Sequence, residues 1–338
     1  MQAINEFLFN FLHWIQSWVG SWGWSMVVFT IMIRLVLTPL DYKSRVSMRK
    51  TTKLQPKLQA LQKKYANDKE KLNAKTAELY KKEHINPLSS CLPLLLTWSI
   101  LIAVFGAMRM AANRQLLDQV AQILSNPQIT LEELSLERWL WIKNLWMPDN
   151  LFYSALPDAR TLSTISSNEW VTWFSNLEGN LPALLKDLNL TAASFEGGEL
   201  SATVQAIVSA METVPLYAEG IATIPGYTIP LVNWSVPHLY NGFILLPILS
   251  AVSQIVMTKI MSGGQQQPTA QGQPNTGKFM QWFFPLFSLW ICLGYSAAFA
   301  LYWVSGNLVS MGQTFAINKY LDAKEEKVAP VAGEGSVK

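Results

Sequence analysis

Charge is in short supply. Soluble domains carry roughly 25% Asp, Glu, Lys and Arg, about 85 such residues in a chain of this length. Here they make up 14% of 338 residues, 26 basic and 23 acidic. That shortfall excludes a disordered chain or a highly charged nucleic-acid protein and argues against an ordinary soluble enzyme. The reactive residues are scarcer still. The three His (His13, His84, His238) are scattered, and the two Cys (Cys91, Cys292) lie far apart in apolar segments. No disulfide framework, metal site, nucleophile–base pair or Gly-rich phosphate loop can be assembled from them. The chain is therefore expected to be neither an enzyme nor a holder of cofactor or metal. What it does have is apolar residues, 50% of the total, and 14 Trp, a residue that collects at membrane interfaces.

A membrane span needs about 20 mostly apolar residues. Five segments qualify, at 21–40, 87–110, 239–260, 278–294 and 297–317. The last two form one apolar stretch of twice the membrane thickness, so a turn is expected at Gly294-Tyr295-Ser296. Residues 1–20 lack the basic start of a secretory signal. Ile4, Phe7, Leu8, Phe11, Leu12, Ile15, Trp18 and Val19 recur at helical spacing there, predicting an amphipathic helix lying in the interface. Loop charge sets the orientation: segment 41–86 holds 13 basic and 5 acidic residues, net +8, and segment 111–238 holds 5 and 13, net −8. Basic loops stay inside, which puts the N-terminus outside and the C-terminus in the cytoplasm. The expected fold is thus all-α, with five transmembrane helices.

The basic segment 41–86 reads as an antiparallel helical hairpin. Leu54, Leu58, Leu61 and Tyr65 form one stripe, and Leu72, Thr76, Leu79 and Tyr80 another. Asn67 or Asp68 is placed to cap the second arm, and Pro56 is expected to bend or break the first. Such a hairpin is either a solvated topology signal or a docking surface for a ribosome, chaperone, anionic lipid or incoming chain. Segment 261–277 is a Gln/Gly/Pro-rich linker; 318–338 is a cytoplasmic tail whose part after Tyr320, with its KEEK run, reads as disordered. The outer segment 138–150 (RWLWIKNLWMPDN) is aromatic and suits an interface, while 151–238 reads as a polar, acidic cap with helical patterns near 179–189 and 200–213.

The informative residue is Arg34, well inside the first span. A charge near mid-span costs about 2.5–3.5 kcal/mol on insertion scales, so it should face a polar cavity. Thr97, Gln254, Gln281, Ser288, Ser305, Asn307, Ser310 and Gln313 offer polar company, and none of the five spans holds an acid. Arg34 is then available to a passing anionic group, or else snorkels toward the headgroups near Pro39–Asp41. The Ser, Asn and Gln of the last span have helix–helix hydrogen bonding as their competing role.

These segments together resemble the YidC/Oxa/Alb family of membrane protein insertases. The resemblance rests on GWSMVVFTIMIRLVLTPL (23–40) with the family's arginine at Arg34, and on LQPKLQALQKKY (54–65) and LYKKEHINPLSSCLPLLL (79–96). It continues through RWLWIKNLWMPD (138–149), LLPILSAVSQ (245–254), FFPLF (283–287) and ALYWVSGNLVSMGQ (300–313). It implies an insertase and chaperone working without nucleotide hydrolysis in the bacterial cell membrane, with nascent membrane proteins as clients. A ribosome, a Sec-type translocon and membrane lipids are the further partners, and no specific nucleic acid. It also implies a hydrated groove lined by Arg34, Thr97, Gln254, Gln281, Ser305, Asn307 and Gln313. Two departures stand out: residues 151–238 intervene where relatives pass almost directly to the third span, and Thr97 stands where many carry Gln. With no lipoprotein signal and no large N-terminal periplasmic domain, the chain resembles the five-span, Gram-positive-type form. The competing functional classes are an anion transporter or channel using Arg34, and an assembly partner acting through 151–238.

Overall fold

In the computed structural model, the described residues are 2–83, 92–177, 179–229, 234–262 and 276–328. His84, Cys91, linker residues 263–275 and the final ten residues lie outside them. The helices in chain order begin with α1 (Gln2–Val19), α2 (Trp22–Lys64), α3 (Lys69–Lys82) and α4 (Leu92–Ser125). The next are short: α5 (Ala159–Leu162), α6 (Ser167–Leu177), α7 (Ala183–Lys186), α8 (Leu200–Met211) and α9 (Pro215–Ile221). Two strands follow, β1 (Thr223–Ile229) and β2 (Trp234–Pro237), and then α10 (Leu245–Ser262), α11 (Thr276–Gly294) and α12 (Ala297–Val328). By length and composition, Trp22–Lys64 and Ser99–Ser125 could cross a membrane, while Leu245–Ile260 and Gln281–Gly294 are shorter apolar helices. The chain is mostly helical; the antiparallel β1–β2 pair is the one addition to the all-α expectation among the described residues.

Several boundaries differ from the sequence reading. Helix α2 runs unbroken through both Pro39 and Pro56, where a break or bend was expected at the second. Each proline removes one N–H from the ladder. Those N–H groups would be the partners of the Leu35 and Thr52 carbonyls, while in the preceding turns Thr38 Oγ1 donates to the Arg34 carbonyl and Thr51 and Thr52 to those of Ser47 and Met48. Helix α4 continues fifteen residues beyond Met110. Hydropathy falls there, but Leu116, Leu117, Val120, Ile123 and Leu124 keep helical spacing and are buried. Helix α10 starts at Leu245 rather than 239, and α12 extends to Val328 through a segment expected to be disordered.

The chain forms two compact units. The first comprises Met1–Val28, Ala103–Ser250 and Ser288–Trp303. In it α1 ends at Gly20, whose φ of +78° is the left-handed stop that glycine adopts most easily. Its apolar stripe divides: Leu12 and Ile15 are buried, whereas Ile4, Phe7 and Trp18 remain exposed. A core of Leu117, Val120, Ile123, Trp170, Phe195 and Tyr217 unites the α4 extension with segment 151–238, making the latter a folded cap. Trp170 stacks on Phe195 at 5.5 Å, and the buried Tyr217 hydroxyl donates to the Pro157 carbonyl at 2.8 Å.

The second unit comprises Phe29–Ile102, Ala251–Phe287 and Val304–Lys338. In it the usual inside–outside rule is inverted. Ile31, Met32, Leu35 and Val36 of α2, Val252 and Val256 of α10, and Leu308 and Phe315 of α12 are exposed. Ser253, Ser305, Asn307, Ser310 and Thr314 are buried. An apolar exterior around polar contacts suits lipid surroundings, because hydrocarbon solvates Leu and leaves polar groups to find one another. In the same unit α2 turns into α3 through Tyr65–Asn67. Asp68 caps α3 by accepting from Lys71 N at 3.0 Å, and Lys57 Nζ meets Glu83 Oε1 at 2.7 Å between the two arms.

Candidate functional site

In the second unit, Arg34 of α2 lies against Gly306 of α12. A Cβ added at Gly306 would stand 3.4 Å from a guanidinium nitrogen of Arg34, which places the guanidinium directly against this face of α12. Two turns of α12 further on, Gln313 Nε2 donates to the Arg34 carbonyl at 2.8 Å and to Thr38 Oγ1 at 2.7 Å. The same carbonyl also accepts from Thr38 Oγ1 at 3.1 Å, so Gln313 joins a polar cluster already built on this turn of α2. Gly306, Ser310 and Gln313 follow helical spacing and share one face of α12. Ser310 Oγ and Gln313 Oε1 are buried and have no partner among the described residues. The Arg34 guanidinium likewise makes no hydrogen bond or ion pair there. Asp41, two turns on, feels Arg34 and Arg45 through space but forms no ion pair with Arg34.

A second polar group sits on the adjacent face of α12. Asn307 Nδ2 donates to Ser253 Oγ at 2.9 Å and to Gln254 Oε1 at 3.2 Å, both on α10. The expected lining residues therefore gather as two sets, Arg34 with Gln313 and Asn307 with Gln254. Ser305 is buried between neighbours of these positions in sequence, and Gln281 makes no side-chain hydrogen bond among the described residues. The Thr97 backbone is helical in α4, and its side chain lies outside the described residues.

Below Arg34, α2 and α12 are joined by a polar ladder that sequence reasoning missed. Arg45 donates to Thr314 Oγ1, Arg49 Nη2 to the Asn318 carbonyl at 3.0 Å, Arg49 Nη1 meets Asp322 at 2.7 Å, and Lys53 meets Glu325 at 3.1 Å. Residue numbers rise together on both helices, so they run parallel. The signal was present in the sequence: Arg45, Arg49 and Lys53 at four-residue spacing, and acids at comparable spacing in the last stretch.

In the first unit, a buried junction forms around three polar residues of the aromatic segment and of the approach to α10. Asp149 accepts from Phe243 N at 2.9 Å, Leu246 N at 2.7 Å and Trp141 Nε1 at 3.2 Å. It thereby caps the start of α10 with a carboxylate, where free N–H groups and the helix dipole favour negative charge. Gly242 is required beside it, since a Cβ there would fall 2.0 Å from Asp149 Oδ1. Asn241 Nδ2 donates to the carbonyls of Asn144, Met147 and Pro148, while its Oδ1 accepts from Asn144 N. Asn144 in turn donates to Gln119 Oε1 and the Ala155 carbonyl. Segment 151–238 leaves and re-enters through one paired point: Ala155 N donates to the Leu239 carbonyl at 2.7 Å and Asn241 N to the Tyr153 carbonyl at 2.9 Å. The two ends of segment 151–238 thus meet beside the contact between Asp149 and the start of α10. Trp22 N donates to Glu137 Oε1 at 2.9 Å, and burial pushes the Glu137 carboxyl above its ordinary range.

The family described as "60Kd inner membrane protein" matches residues 14–325. The chain is 44% identical over 106 residues to "Membrane protein insertase YidC" of Fusobacterium nucleatum, covering 31% of this chain and 52% of that protein. The like-named protein of Campylobacter jejuni is 43% identical over 98 residues, 29% of this chain and 19% of the relative. That of Anaeromyxobacter dehalogenans is 35% identical over 153 residues, 45% and 24% respectively. The matched stretch thus spans about half the length of the first relative and about a fifth to a quarter of the others. With a family match running from the end of α1 nearly to the end of α12, the chain belongs to the 60Kd inner membrane protein family, the YidC/Oxa/Alb group.

Proposed function

We propose that the chain is a membrane protein insertase in which Arg34 draws the acidic flank of a client partway into the membrane. The observation that carries this reading is an arginine in an apolar helix whose guanidinium has no partner among the described residues, beside a face of α12 holding two more buried, unpartnered oxygens. A fixed cation in surroundings drier than water attracts an anion more strongly than in bulk solvent. Residues Arg34, Thr97, Gln254, Gln281, Ser305, Asn307 and Gln313 would line a hydrated groove open to the cytoplasm. Five spans, carried by α2, α4, α10, α11 and α12, would leave the N-terminus outside and the C-terminus and the basic 41–86 hairpin in the cytoplasm. The hairpin would be the landing surface for clients, ribosome or a Sec-type partner.

The energetics need no nucleotide. Burying a client's apolar helix in lipid is downhill, and the obstacle is its polar flank, whose groups cost several kcal/mol each if they meet hydrocarbon unpaired, at about the value for one unsatisfied polar group. A polar path with one positive charge lowers that obstacle, and exposed apolar faces such as Val252 and Val256 of α10 offer a lateral route for the client helix. Site-specific crosslinking from Thr38 and Gly306 to a stalled nascent chain tests the path. Adducts with the client's hydrophilic tail are expected from both positions; adducts only from lipid-exposed Leu35 and Val36 would contradict it.

A further inference from the structure

The segment 111–238 is acidic, yet two of its five cations meet at one cavity of about 300 Å³. Its lining includes Arg138, Lys143, Leu136, Leu140, Trp141 and Leu239, and no carboxylate. Lys143 Nζ donates once, to the Tyr240 carbonyl at 2.8 Å, and lies 3.7 Å from the centre of the Tyr240 ring. Among the described residues no acid stands within ion-pair distance of it, and burial pushes its ammonium below the ordinary lysine range. Arg138 is exposed and makes no hydrogen bond or ion pair among the described residues. Of the acids nearest in sequence, Glu137 is bonded to Trp22 N, Glu133 to Thr130 N and Asp149 to the start of α10, while the exposed Glu132 forms an ion pair with neither cation. Two cations, one of them partly desolvated, therefore have no ion-pair partner among the described residues.

The apolar half of the cavity is just as unusual. Trp139 and Ile142 exchange both backbone hydrogen bonds, at 3.0 and 2.9 Å, so Leu140 and Trp141 form the tip of a two-residue hairpin. Leu140 sits there at φ +49°, a conformation for which glycine or asparagine is the normal choice. A leucine in this position carries backbone strain and is 66% exposed. The turn thus presents an aliphatic side chain outward at the expense of local stability, next to two unneutralised cations.

We propose that this hairpin is a binding site for one anionic phospholipid, with the phosphate between Arg138 and Lys143 and the upper acyl chain against Leu140 and Trp141. The cavity is at the small end of ligand sites, room for a headgroup but not a whole lipid, so the chains must run out over the tip. An amphipathic occupant matches both halves; free phosphate would leave the leucine unexplained. The proposal rests on membership of a membrane protein family and is independent of the insertase reading.

Native mass spectrometry of the full chain, released from micelles holding equal phosphatidylglycerol and phosphatidylcholine, tests it. The wild type is expected to retain one phosphatidylglycerol in preference to phosphatidylcholine. Arg138→Gln, which breaks no internal bond, should reduce that retention at least about fivefold, as loss of a charge-assisted contact implies. Leu140→Gly relieves the positive φ and should raise the unfolding temperature while lowering retention, a pairing that a purely structural leucine would not produce. Equal retention of the two lipids, retention unchanged in both variants, or displacement of phosphatidylglycerol by millimolar inorganic phosphate would each overturn the proposal.

Discussion

The junction around Asp149 and the surroundings of Arg34 use the same kinds of residue to opposite ends. At the junction, both Asp149 oxygens accept hydrogen bonds, and the Asn144 and Asn241 side chains donate and accept. Around Arg34, by contrast, the guanidinium, Ser310 Oγ and Gln313 Oε1 have no partner among the described residues. A polar residue whose bonds are all made within the chain holds the fold; one whose capacity is left over is open to something that passes. Polarity in an apolar sequence marks Asp149 and Arg34 alike, and it is their partners that distinguish these two.

That contrast can be broken by measuring stability and insertion together. The largest loss is expected at the junction: Asp149→Ala strands two backbone N–H groups and an indole N–H, about 3–5 kcal/mol at the usual cost of unmet buried donors. A thermal melt in detergent reads it, and a shift as small as that of a surface substitution would mean that the cap is dispensable. Asn307→Ala comes next, removing the bonds to Ser253 and Gln254 for roughly 1–2 kcal/mol. Arg34→Ala should leave the melting temperature unchanged or raise it, since no internal bond of its side chain is lost, while insertion of acidic-tailed clients falls. If instead Arg34→Ala melts early, the arginine belongs with the structural set.

The smallest effect is expected in the hairpin. The Lys57 ammonium holds the Glu83 carboxyl below its ordinary range by a direct hydrogen bond. A lowered folded-state value means that this contact stabilises above the ordinary glutamate range and is lost as pH falls through the lowered one. Between arms this exposed, Lys57→Ala is expected to give no resolvable change in a neutral-pH melt. What difference exists between variant and wild type should vanish on acidification; a difference that grows in acid would have the wrong sign.

How much was legible in the sequence differs between the two regions for a physical reason. Arg34, Gln254, Asn307 and Gln313 stood out because each interrupts an apolar run, and burial in such a run is costly enough to demand a reason. The bond from Asp149 to the start of α10 was not legible, because its partners are backbone N–H groups ninety-odd residues away that carry no residue-type signature. The helix past Tyr320 was misread because its charges look solvated in isolation, whereas Asp322 and Glu325 meet Arg49 and Lys53. Likewise α4 was ended at Met110 by falling hydropathy, while the spacing of Leu117, Val120 and Leu124 still pointed into the core of the cap. Pro56 does not end α2, since a proline inside a long helix removes only one of its many ladder bonds.

The central claim is that the spare charge of Arg34 acts on charge in the client. It is tested most directly by pairing Arg34→Ala and Arg34→Glu with single-span clients bearing acidic or neutral N-tails, in cells depleted of their own insertase. Both variants are expected to insert the acidic-tailed client poorly, Arg34→Glu worst, and to insert the neutral-tailed client nearly as well as the wild type. Equal insertion of the acidic client by all three proteins, or equal loss for both clients, would contradict it.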